Sequence, residues 1–151
     1  MRTILTSGFR YAIHQLVMNY LLIELAKLGL YHNAMSDHLR ASEAFRKALF
    51  INPDHVPATI YLCQTYLTPT NAPSFEGQKK VDDQRVDLVA GLLSDLTSGP
   101  GWDTPEAWYY LAKAYKLQGR RDRERECLNF ALTLSQTRGV RDITTAVGWC
   151  L

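Results

Sequence analysis

The chain has 151 residues, 46% of them hydrophobic and 21% charged; this suits one domain with a packed core and excludes a disordered chain. Its 17 Lys and Arg against 15 Asp and Glu leave a net charge of +2, too little for charge-driven nucleic-acid binding. Three widely spaced cysteines, Cys63, Cys127 and Cys150, fit neither a metal pattern nor a disulfide framework and favour a reducing compartment.

Strand signals are nearly absent, and apolar residues recur at helical spacing. A first helix is predicted over about 9–21, either continuous with the next or separate from it. The most apolar stretch, 13–30, is interrupted by His14, Gln15, Asn19, Glu24 and Lys27. No spanning helix and no direct membrane insertion are therefore expected, and the N-terminus lacks a signal-peptide pattern. Asn52-Pro53-Asp54 reads as the stop of one helix and the cap of another over 56–67. Thr68-Pro69-Thr70-Asn71-Ala72-Pro73-Ser74 reads as a loop, before a helix over about 78–96. Asp103 is the expected N-cap of the next helix, with Pro105 in its first turn and Glu106 three residues after the cap. Gly119 suits a left-handed turn at its end. The segment 121–135 resumes helical period, with Cys127, Leu128, Ala131, Leu132 and Leu134 on one side. A short helix over about 142–150, carrying Ala146 and Trp149, is expected to cover the end of the stack.

The chain also repeats itself. Ala58, Leu62, Cys63 and Tyr66 return as Ala107, Leu111, Ala112 and Tyr115, each shifted by 49 residues. Ala48-Leu49-Phe50-Ile51 returns as Ala131-Leu132-Thr133-Leu134, shifted by 83. The two shifts differ by 34 residues, the length of one helix–turn–helix repeat.

Trp108, Leu111, Ala112, Tyr115, Gly119 and Ala131 together resemble a tetratricopeptide repeat. Ala41, Phe45, Ala48 and Pro53 fit the second helix of an earlier copy. The sequence departs from the pattern at Glu124, Leu128 and Gln136, where the family has Ala, an aromatic and Pro. The resemblance implies an all-α fold, one tetratricopeptide-repeat solenoid domain over 1–151. Its helix pairs lie at about 20–53, 56–96 and 105–136, with a cap at about 142–150. In the first pair Leu28-Gly29 fits the Leu-small slot, but Tyr31 is one residue off its slot. An extended helix or a bulge over 30–36 is expected there.

The block from Ala41 to Leu67, with Gly101-Trp102-Asp103-Thr104-Pro105-Glu106-Ala107-Trp108 and Glu126-Cys127-Leu128, is similar to the repeat scaffolds of the plasma-membrane phosphatidylinositol 4-kinase complex, whose fungal members are cargo-transport proteins. That resemblance implies a non-enzymatic protein–protein interaction scaffold, with the lipid kinase and a peripheral membrane-anchor subunit as partners. It further implies the C-terminal part of a longer solenoid, and a cytoplasmic location recruited through partners to the inner face of the plasma membrane. Two rivals stand beside it: a generic peptide-binding adaptor of the same fold, and a small helical enzyme or carrier with a pocket between helices.

Residue chemistry points away from catalysis. His14, His32, His38 and His55 form no His-x-x-x-His pair, and structural or surface roles are favoured over metal binding. His32 and His38, six apart, fall on different faces of a helix; His55 is expected exposed at a helix start. No Ser, Thr or Cys has a nucleophile context, Cys63 reads as a packed core thiol, and the glycines form no phosphate loop. No catalytic residue, cofactor or metal is assigned. The family's geometry places Ile60, Gln64 and Leu67 of one helix, and Glu106, Tyr109, Lys113 and Lys116 of another, along a groove. Tyr109 with Lys113 and Lys116 would hold a peptide by aromatic contact and charge. The Lys-and-Asn carboxylate clamp of chaperone-binding members is not expected, because Gln64 and Lys113 stand in its Asn slots. The alternative site is the basic run Arg120, Arg121 and Arg123, otherwise a solvated helix start with intrahelical pairs.

Overall fold

A computed structural model describes residues 2–69 and 82–137. Six α-helices and no strand occur among them: α1 (Arg2–Ala34), α2 (His38–Ile51), α3 (Val56–Leu67), α4 (Asp83–Ser98), α5 (Pro105–Leu117) and α6 (Arg121–Thr137). The start of the fourth predicted helix, most of the predicted loop after Thr68 and the expected end helix over 142–150 lie outside the described residues. Each helix packs on the next, and α3 also touches α1 and α5.

The helix boundaries follow from short-range chemistry. The predicted helix over 9–21 is continuous with the first pair, forming the single helix α1. It ends in a left-handed turn at Ser36, φ 60°, where the Asp37 N–H donates to His32 O at 2.9 Å and the Ser36 N–H to Asn33 O at 3.0 Å. That is the Schellman pattern, made here by a residue with a Cβ. Gly119, φ 75°, closes α5 in the same way: the Arg120 N–H reaches Tyr115 O at 2.9 Å and the Gly119 N–H reaches Lys116 O at 3.0 Å. Asp37 and Asp82 cap α2 and α4 by accepting from the Arg40 and Gln84 N–H groups.

Two expected caps are displaced. Thr104, not Asp103, is the N-cap of α5, and its side chain makes no cap bond. Pro105 explains the shift: it occupies the first helical position and holds its predecessor in extended backbone, here φ −99°, ψ 107°. Asn52 ends α2 as expected, its N–H donating to Ala48 O at 3.0 Å. Asp54 does not cap α3; its N–H instead donates to Asn52 Oδ1 at 3.1 Å. The cap is His55, whose Nδ1 accepts from the Ala58 N–H at 3.2 Å. His55 is thus half-buried rather than exposed, and burial pushes its pKa below 6.5, favouring the neutral ring that can accept this bond.

The positions repeated at a shift of 49 share one environment, whereas at a shift of 83 Ala48 is buried and Ala131 half-buried, Leu49 half-buried and Leu132 exposed. Ala58 and Ala107, Leu62 and Leu111, and Cys63 and Ala112 are all buried, while Tyr66 and Tyr115 are half-buried. The largest apolar cluster joins α3, α4, α5 and Cys127 of α6. Two smaller ones hold α1, α2 and α3 together, around Leu22 and around Phe45. The stripe expected on α6 is only partly buried: Cys127 is enclosed, Ala131 and Leu134 are half-buried, and Leu128 and Leu132 are exposed. Phe130 of α6 instead stacks on Trp108, centroids 4.7 Å apart. Ala112 is 1% exposed in the main cluster. Ala112→Leu is therefore expected to overpack it and lower stability by about 1–3 kcal/mol, read as a fall in Tm; an unchanged Tm would refute the close approach.

Candidate partner-binding surface

The α5 face is built from i, i+4 and i+7 positions, which line up on one side of a helix. Tyr109 is half open to solvent, and Lys113 and Lys116 are exposed. The Lys113 ammonium lies 5.7 Å from the Tyr109 ring centroid and 5.6 Å from that of Tyr110. The two rings meet edge to face at 5.4 Å. Tyr110 is 5% exposed and belongs to the main cluster. A buried ring thus steadies an exposed one, and both hold an ammonium group by attraction to their π faces. Lys116 sits in the last turn of α5.

The α3 residues assigned to the same groove are two core side chains and one half-buried one. Ile60 is buried in the main cluster, as is Leu67; neither offers a free surface. Gln64 lines a recess of about 170 Å³ between α1, α2 and α3, with Leu30, Asn33, Ala34, His38, Tyr61 and Thr68. That is below the roughly 300–1,000 Å³ usual for small-molecule sites and matches a single side chain. A polar network beside it escaped the sequence reading. Asn33 Nδ2 donates to Thr65 Oγ1 at 3.0 Å, the Thr65 hydroxyl donates to Tyr61 O at 2.8 Å, and His38 Nδ1 lies 3.3 Å from Asn33 Oδ1. These bonds tie the end of α1 and the start of α2 to α3. His32 and His38 belong to different helices, not to different faces of one. A Thr in the middle of an apolar helix was the one signal available in the sequence.

Arg120, Arg121 and Arg123 are exposed at the start of α6. Arg123 pairs with Glu126 at 3.1 Å, an exposed contact worth at most about 1 kcal/mol. Asp122 and Glu124 lie in the same turn, so the run is mixed in sign. Cys63 is fully buried and its thiol is pushed up to about 12 by that burial, which removes the reactive thiolate. No group of three or more metal-ligating side chains is assembled among the described residues. No described helix is long and apolar enough to cross a membrane. No protein-family model matches the chain, and no curated protein matches it.

Proposed function

We propose that this chain is a non-enzymatic scaffold of tetratricopeptide-repeat type that helps assemble a phosphatidylinositol 4-kinase complex. In this reading it contacts the lipid kinase and a peripheral membrane-anchor subunit, which recruit it to the inner face of the plasma membrane. The observation that carries it is the equivalence of α3 and α5: three identical residues and one small-for-small pair, each 49 positions apart, with matching burial at every one. The contacts of α3 with both α1 and α5 support a stacked arrangement of alternate helices.

Partner contact is assigned to Tyr109, Lys113 and Lys116. A rigid ring and two ammonium groups favour a segment bearing acidic or phosphorylated residues. Lys113→Glu with Lys116→Glu is expected to weaken capture of the purified lipid kinase roughly tenfold with helicity intact, and added salt should weaken the parent chain in the same direction. Tyr109→Ala should raise the dissociation rate. Charge reversal at Arg120, Arg121 and Arg123 is the matched control. If it abolishes capture while the α5 changes do nothing, the basic start of α6 is the site. If the parent chain fails to retain the kinase at all, the assignment to this complex falls.

A further inference from the structure

The N-terminal half of α1 carries a second apolar stripe. Phe9, Ile13, Leu16, Tyr20 and Ile23 follow one another at spacings of 4, 3, 4 and 3, the seam of a heptad coiled coil. All five are exposed, Phe9, Leu16 and Tyr20 by about two-thirds. They lie opposite the stripe of Leu22, Leu25 and Gly29 by which α1 meets α2 and α3. With flanking Val17, the seam offers on the order of 600 Å² of apolar surface per copy, or about 1,200 Å² in a pair, the lower bound of specific stable interfaces.

We propose that the chain forms a two-fold dimer in which the α1 seams of two copies pack antiparallel, centred at the level of Met18. The register is self-complementary, as a two-fold interface must be. Ile13 faces Ile23 of the second copy, and Leu16 faces its Tyr20. Lys27 lies over the ring of Phe9 of the second copy, where its charge is accommodated by the π face. Ala12 and Ala26 flank the seam on one side and let the backbones approach. On the other side Arg10 stands opposite Glu24 of the second copy, and the contact occurs twice by symmetry. In the single chain Glu24 pairs with Lys27 at 3.1 Å, both side chains being substantially exposed, so it is free to accept a second cation. A parallel pairing would set Lys27 against Lys27 and leave Arg10 without an acid, which selects the antiparallel form.

This dimer does not rest on the scaffold reading, and failed capture of a lipid kinase leaves it standing. The test is sedimentation equilibrium of the full chain from about 1 to 100 μM, a range bracketing an interface of this size. A concentration-dependent dimer is expected. Leu16→Asp should abolish it with helix content unchanged, because Leu16 makes no core contact to lose. Arg10→Glu and Glu24→Arg should each weaken association roughly tenfold, and the double exchange should return it to within about threefold. A monomer across the range, a dimer that survives Leu16→Asp, or a double exchange that fails to rescue would overturn the proposal.

Discussion

Phe45→Ala is expected to destabilise the chain by about 3–5 kcal/mol, a loss that lowers Tm by roughly 10–20 °C. Phe45 has no exposed surface and is the largest fully buried side chain among the described residues. It sits on α2 but serves three helices: it lies against Gly29 of α1, packs with Leu62 of α3, and stacks on Tyr61 with centroids 5.7 Å apart. Truncation would remove the ring and leave a void that the surrounding helices close only in part. Phe50, five residues on in the same helix, is 90% exposed. Phe50→Ala should therefore shift stability by no more than about 0.5 kcal/mol. Comparable Tm losses for the two would show that Phe45 is not the contact joining these helices.

The second large effect has a sign that helix propensity gets wrong. Ala is favoured over Gly in a helix interior by about 1 kcal/mol, so Gly29→Ala in α1 would be read as stabilising. A Cβ at Gly29 would stand 2.5 to 2.8 Å from three ring carbons of Phe45, closer than any ordinary contact. The ring is enclosed and cannot swing away. Gly29→Ala should therefore lower stability by about 1–3 kcal/mol. Gly91, within α4, has nothing within 4 Å of the same hypothetical atom, and Gly91→Ala should raise stability by about 0.5–1 kcal/mol. Pairing Gly29→Ala with Phe45→Leu should recover part of the loss, with a coupling of about 1 kcal/mol in a double-mutant cycle. If both glycine substitutions stabilise, the close approach of α1 and α2 is wrong.

Where the sequence used common punctuation, helix bounds were legible but two caps were displaced by one residue. Helix α3 starts and stops as predicted because turn residues flank it, and Gly119 does adopt the left-handed turn that its position demanded. The reversal between α1 and α2 was not legible, because Ser36 adopts that geometry without a composition signal. The α3 cap was missed because a His acceptor depends on a neutral ring, and neutrality comes from burial, which sequence does not display. Tyr109, Lys113 and Lys116 were assigned through the resemblance, and their i, i+4, i+7 spacing sets them on one side of α5. Ile60 and Gln64 were assigned through the same resemblance; Ile60 lies in the core, and Gln64 lines the recess between α1, α2 and α3. The heptad seam of α1 was masked by the second apolar stripe on the opposite side, since two opposed stripes leave no single polar face to mark.

The pattern of helix contacts also bears on how quickly the molecule assembles. Every contact between described helices joins neighbours or next-but-one neighbours along the chain; α1 never meets α4, α5 or α6. Each pairing therefore closes a short loop and spends little chain entropy before apolar burial compensates. Among the described helices no pairing waits for distant segments to find one another, as the strands of a sandwich must. Chains of such local topology fold in microseconds to milliseconds. Any adjacent hairpin can start the process, and order can then spread along the chain in either direction.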